Sequence, residues 1–116
     1  MKTYARVVWP EQREAIEEDK VVPTNHNRWS NDNDIVGVTY EPGTVVMLWD
    51  LEKEFGGMLS RWIEGQVKDH GGCYLLKFEA DIETEMDMTG WGQFGSVVHE
   101  GPIDLEEVNI IEYEKV

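Results

Sequence analysis

Thr44-Val45-Val46-Met47-Leu48-Trp49-Asp50-Leu51-Glu52-Lys53-Glu54-Phe55-Gly56-Gly57-Met58-Leu59-Ser60-Arg61-Trp62-Ile63-Glu64-Gly65 changes its hydrophobic period halfway, and that change decides the fold. Thr44 to Trp49 is rich in β-branched and aromatic residues and reads as a strand. After Asp50, a residue able to cap a helix, Leu51, Phe55, Met58, Leu59, Trp62 and Ile63 recur at intervals of three and four. That spacing predicts one apolar helical face over about 50–64, with Glu52, Glu54, Arg61 and Glu64 turned away from it. Gly56 and Gly57 weaken such a helix by about 1 kcal/mol each relative to Ala, and Gly65 marks its end. A strand joined directly to an amphipathic helix is an α+β element.

Working outward, Glu41-Pro42-Gly43 has the Pro-Gly pair of a type II turn, so Ile35 to Tyr40 and Thr44 to Trp49 are expected to form a hairpin or two closely linked strands. The polar stretch Thr24 to Asp34 has neither period and reads as a surface loop. At the start, Thr3 to Trp9 predicts a strand, and Pro10 opens a short helix over about 10–19 that must end before Val21-Val22-Pro23. Beyond the main helix, Cys73 to Ala80 reads as a buried strand and Ser96 to His99 as another. Asp104 and Glu107 have capping-box spacing for one helical turn, and a last strand follows around Asn109 to Tyr113. The sequence therefore predicts a small α+β protein, residues 1–116 as a single domain, mostly antiparallel sheet with one main and one shorter helix.

The 116 residues carry 24 Asp plus Glu against 10 Lys plus Arg, a net charge of −14. Such a surface disfavours direct nucleic-acid binding, because phosphates repel it. With 41% hydrophobic residues and five Trp, the chain is still expected to fold. A single cysteine, Cys73, excludes an internal disulfide. The longest apolar run is far below a membrane span and the first residues lack a secretion signal, so a cytoplasmic, membrane-free location is expected.

The charge is uneven. Residues 79 to 116 hold 11 acids and one base, a balance of −10, whereas residues 1 to 78 hold 13 and nine, a balance of −4. Asp81, Glu83, Glu85 and Asp87 alternate with Ile82, Thr84, Met86 and Met88, and in an extended chain carboxylates two apart lie about 6.6 Å from one another. Such a row fits a basic nucleic-acid groove on a partner protein; the other reading is a solvated face that keeps the chain soluble. Trp29 and Trp91, in polar or glycine-rich loops, are candidate apolar anchors for the same partner. No metal is expected. His70 and Cys73 are three apart but have no evident further ligands, and Asn31-Asp32-Asn33-Asp34 fails as a calcium loop because Val36 and Gly43 fall where oxygens are needed.

The sequence carries Tyr4-Ala5-Arg6-Val7-Val8 leading into a short helix and Val21-Val22-Pro23, then Leu48-Trp49-Asp50 opening the amphipathic helix. Tyr74-Leu75-Leu76-Lys77-Phe78-Glu79-Ala80-Asp81 and a close on Glu100-Gly101-Pro102-Ile103-Asp104-Leu105-Glu106-Glu107-Val108 follow. This layout, over most of the chain, resembles a small member of the ADP-ribosyltransferase-like superfamily. The resemblance implies NAD bound between two small sheets, with Arg6 and Tyr40 binding the cofactor. Glu100, with Arg6, would then be catalytic, stabilising an oxocarbenium-like transition state. Gln93 to His99 contains no acid and Glu100 lies later than the pattern, which implies an inactive or repurposed member. The leading expectation is thus an acidic protein-binding module without cofactor, an inhibitor of the kind that phages encode against host defence. The alternative is an NAD-binding or NAD-consuming enzyme.

Overall fold

The structure, a computed structural model, describes residues 1–24, 26–27, 43–88 and 90–116. The expected strand Ile35 to Tyr40, the Glu41-Pro42 half of the turn and most of the polar loop, with Trp29 and Tyr40, lie outside the described residues.

Strand β1 (Lys2–Val8) runs through a single turn of 3-10 helix at Pro10–Gln12 into α1 (Arg13–Glu17). Proline at the first position and an acid in each first turn suit this start, since the missing N–H is unpaired there anyway. Two short strands follow, β2 (Val21–Val22) and β3 (His26–Asn27), then β4 (Thr44–Asp50) and the main helix α2 (Met58–His70). The second half holds β5 (Tyr74–Ala80), β6 (Glu85–Met86), β7 (Ser96–Glu100), β8 (Ile103–Asp104) and β9 (Asn109–Lys115).

One sheet has the order β6-β7-β4-β1-β5-β9, every neighbouring pair antiparallel, with β3 also paired to β4; β2 and β8 form a separate pair. Both faces of the large sheet are covered. On one, Tyr4, Val8, Val46, Leu48, Leu76, Phe78 and Val97 pack with Ile16 of α1 and with Val22 and Ile103 of the small sheet. On the other, Ala5, Val7, Met47, Trp49 and Leu75 pack with Leu59, Trp62, Ile63 and Val67 of α2 and with Trp91 and Phe94. All seven residues of β4 are buried as a result, and a strand covered twice loses the polar alternation of a surface strand.

The main helix is present but shifted from the expected 50–64 to 58–70. Asp50 ends β4 instead of capping a helix, and its Oδ1 accepts from Glu52 N at 3.0 Å to make a turn. Gly56 and Gly57 both adopt positive φ (74° and 69°), which a right-handed helix does not tolerate, so helical structure starts only after them. Glu54 Oε1 accepts from Leu59 N there, taking one of the helix's open donors. Gly65 lies inside the helix, and Gly71, at φ 72°, ends it. Phe55, expected on the apolar helical face, is 57% exposed and lies against Phe94.

Candidate functional site: an acid-lined edge and a buried arginine

The segment after β5 crosses the sheet edge and joins it through two residues only, Glu85 opposite Val98 and Met86 opposite Val97. Its neighbouring residues are still held: His99 Nδ1 lies 2.7 Å from the Glu83 carbonyl, and Asp87 N donates to Ser96 O at 3.1 Å. Asp81, Glu83 and Glu85 are exposed. Glu83 and Glu85 line a hollow of about 140 Å³ with Val98, His99 and Glu100. Asp81 lines a second hollow, about 220 Å³, where Asp104 and Glu107 stand over an apolar floor that includes Ile82, Pro102, Ile103 and Val108. His99 belongs to both, so the hollows adjoin, and Met1 also lines the second. Six acidic residues from three separate stretches of chain thus line these two adjoining hollows.

Asp87 does not belong to that surface. Strand pairing does put it on the same face as Glu85, as alternation requires, but the loop from Gly90 to Gly95 folds over this position. Its carboxylate is 2% exposed and accepts from the Ser96 hydroxyl at 2.8 Å. The covering loop is tight: a Cβ on Gly92 would stand 1.9 Å from the Asp87 carbonyl.

Trp91 is likewise more structural than the sequence suggested. It is half-buried, with its ring edge-on to Trp62 at 5.1 Å and to Trp49 at 6.4 Å, closing the core over α2. The exposed apolar side chains beside the acids are instead Met86 and Met88, 61% and 90% exposed. The sequence shows them only as the residues that alternate with the acids, although their flexible thioethers suit a contact surface.

Arg6 and Glu100 are not brought together. Register places Arg6 opposite Leu76 on β5 and Glu100 opposite Val45 on β4, so the two positions point to opposite faces with β4 between them. Arg6 is 3% exposed. The pairing of β1 with β4 covers only Tyr4↔Asp50 and Ala5↔Trp49, and β3 takes up the same strand again at Val45 and Thr44. Arg6 serves the opening between them: one Nη donates to the Met47 carbonyl at 3.0 Å and the other to Gln12 Oε1 at 3.2 Å. Burial alone pushes this guanidinium down to about 9, and no carboxylate bonds it among the described residues. Cys73 is fully buried, and burial raises its thiol above the usual range.

Compared with protein-family models, curated proteins and solved structures, the chain matches none significantly. No helix among the described residues is long and apolar enough to cross a membrane.

Proposed function

We propose that the chain is an acidic binding module that occupies a basic, nucleic-acid-binding surface of a partner protein and so inhibits it, as small phage-encoded antagonists of host defence do. The observation that carries this reading is that Asp81, Glu83, Glu85, Glu100, Asp104 and Glu107 all line two adjoining hollows. Acids scattered for solubility alone have no need to share concave ground. The apolar floor under Asp81, Asp104 and Glu107 suits the aliphatic stem of a partner lysine or arginine, whose charged head would meet the rim. The negative charge of the free module speeds encounter with a basic target, and binding of this kind weakens as salt screens it over about 8 Å at physiological ionic strength.

The test uses the immobilised protein and a panel of purified nucleic-acid-binding proteins. Capture should be displaced by duplex DNA and should fall steeply as salt rises. The triple variant Asp81→Asn, Glu83→Gln, Glu85→Gln should lose capture while keeping the wild-type thermal midpoint. Undiminished capture by the folded triple variant defeats the proposal. A calorimetric titration with NAD on the same sample addresses the alternative: saturable heat at millimolar ligand would move the reading to an ADP-ribosyltransferase-like NAD binder.

A further inference from the structure

The two ends of the large sheet are finished differently. At one end β6 contributes two residues; at the other β9 runs for seven, and no strand lies beyond it among the described residues. Val116 N donates to Cys73 O at 2.9 Å, so this N–H points towards β5. Pairing is regular from Lys115 back to Glu112, and alternation therefore turns the backbone groups of Glu114 and Glu112 the same way. The N–H and C=O of Tyr113 and Lys115 point outward. Backbone groups presented on an open edge are a template for one more strand.

The side chains along this edge select that strand. Glu112 lies opposite Lys77 and Glu114 opposite Leu75, which puts both acids on the α2 side of the sheet. Lys77 Nζ lies 3.2 Å from Glu112 Oε2, but no salt bridge reaches Glu114 among the described residues, and a hydrogen bond with Glu112 holds its carboxyl above the ordinary range. Ile110 and Ile111, 48% and 52% exposed, continue the edge. An added antiparallel strand would meet Glu112 and Glu114 in non-hydrogen-bonded pairs, where facing side chains come closest, so cations at two alternate positions fit it. A second copy fits badly. Edge-to-edge antiparallel pairing about a two-fold axis sets one residue against its own twin. Centred on Glu112 or Glu114 it opposes that acid to itself, centred on Tyr113 it opposes Glu112 to Glu114, and centred on Lys115 it opposes two cations. At Ile111 the bulge interrupts the edge.

We propose that β9 is a docking edge that takes an extended segment of a partner protein as an added antiparallel strand, with lysine or arginine at two alternate positions facing Glu112 and Glu114 and apolar residues towards Ile110 and Ile111. Backbone hydrogen bonds at Tyr113 and Lys115 supply the grip, and the two acids supply the choice of sequence. No residue from Asn109 to Lys115 lines the acidic hollows, so this edge is a separate surface and its test is a separate one.

The probe is a short synthetic peptide alternating lysine with valine, titrated into the whole protein while amide exchange is followed by NMR. In the unbound protein the amides of Tyr113 and Lys115 should exchange faster than those of Glu112 and Glu114, and saturating peptide should slow the first pair by on the order of tenfold or more. Any cationic peptide is drawn to a protein of charge −14, so two N-methylated peptides of unchanged charge decide the mode. Methylating the valines, whose N–H groups meet Tyr113 and Lys115, should abolish the protection; methylating the lysines, whose N–H groups face away, should keep it. Lys115→Pro removes an outward N–H and no bond to β5, and the double variant Glu112→Gln, Glu114→Gln removes the acids; each should weaken binding by about tenfold. Unchanged exchange at Tyr113 and Lys115 under saturating peptide, or equal binding of the two methylated peptides, overturns the proposal. So does a dimer in sedimentation that Lys115→Pro dissolves, which would give the edge to a second copy. Should Lys115→Pro not fold, wild-type exchange and the two methylated peptides still decide.

Discussion

Strand β4 and the segment from Asp81 to Met88 obey the same geometric rule, alternation of side chains across an extended chain, and meet opposite fates. In β4 both faces are covered, so alternation decides only which core a residue joins: Val46 and Leu48 enter one, Met47 and Trp49 the other. In the acidic segment the cover reaches only part of the acid-bearing face, so Glu85 reaches solvent while Asp87, two residues on and on the same face, is sealed under the Gly90–Gly95 loop. Periodicity fixes direction; what lies in that direction is supplied by distant chain.

The largest effects should come from β4. Leu48→Ala, at a position with no exposure, should cost about 3–4 kcal/mol in urea unfolding, whereas Met88→Ala at 90% exposure should stay within about 0.5 kcal/mol. Comparable losses at the two positions would dissolve the contrast. Next comes the loop that makes the cover. Gly95 sits at φ 110°, and an added Cβ would stand 2.7 Å from the Glu54 backbone, so Gly95→Ala should lower stability by about 2–3 kcal/mol. Its thermal midpoint is the readout.

Asp87→Ala separates the two acids on one face. It strands the buried Ser96 hydroxyl and should cost about 1–3 kcal/mol, while Asp81→Ala, exposed, should leave the urea midpoint within error or raise it by relieving repulsion. A harmless Asp87→Ala would return that residue to the docking surface.

The smallest effect concerns the acid that ends β4. Asp50, fully buried, accepts from Lys2 Nζ at 2.9 Å, and this hydrogen bond is the main cause holding the Lys2 ammonium above its ordinary value of 10.5. A pKa raised on folding gives stability that is complete below 10.5 and lost as pH climbs through the folded value. Stability should therefore fall above pH 10.5, and Lys2→Gln should flatten part of that fall. Tyr113, pushed up to about 12 chiefly by burial, titrates in the same direction, so the difference between wild type and Lys2→Gln isolates the lysine.

The order of strands and helices was legible because hydrophobic period is a local property: β1, β4, β5 and β9 all fall close to where composition put them. Helix α2 was legible in kind but not in place. Its apolar spacing runs back through Phe55 to Leu51, and nothing in the pattern tells that two adjacent glycines will both take positive φ and delay the start. The acidic edge was legible as a charge asymmetry, and three of the four acids expected in its row, Asp81, Glu83 and Glu85, are exposed. Its depth was not legible, since His99, Pro102 and Ile103, which shape the two hollows, carry no signal until β7 and β8 are laid beside residues 81–85.

What the sequence determined alone was the α+β class, the alternation of its strands and the concentration of carboxylates after Phe78, all consequences of short-range periodicity and of counting. Tertiary structure alone decided that Asp87 is internal, that Trp91 closes the core and that Arg6 is an inward-facing cation separated from Glu100 by a strand. Those outcomes depend on which surfaces meet across the sheet, and burial is created by the meeting, not by the residues that undergo it.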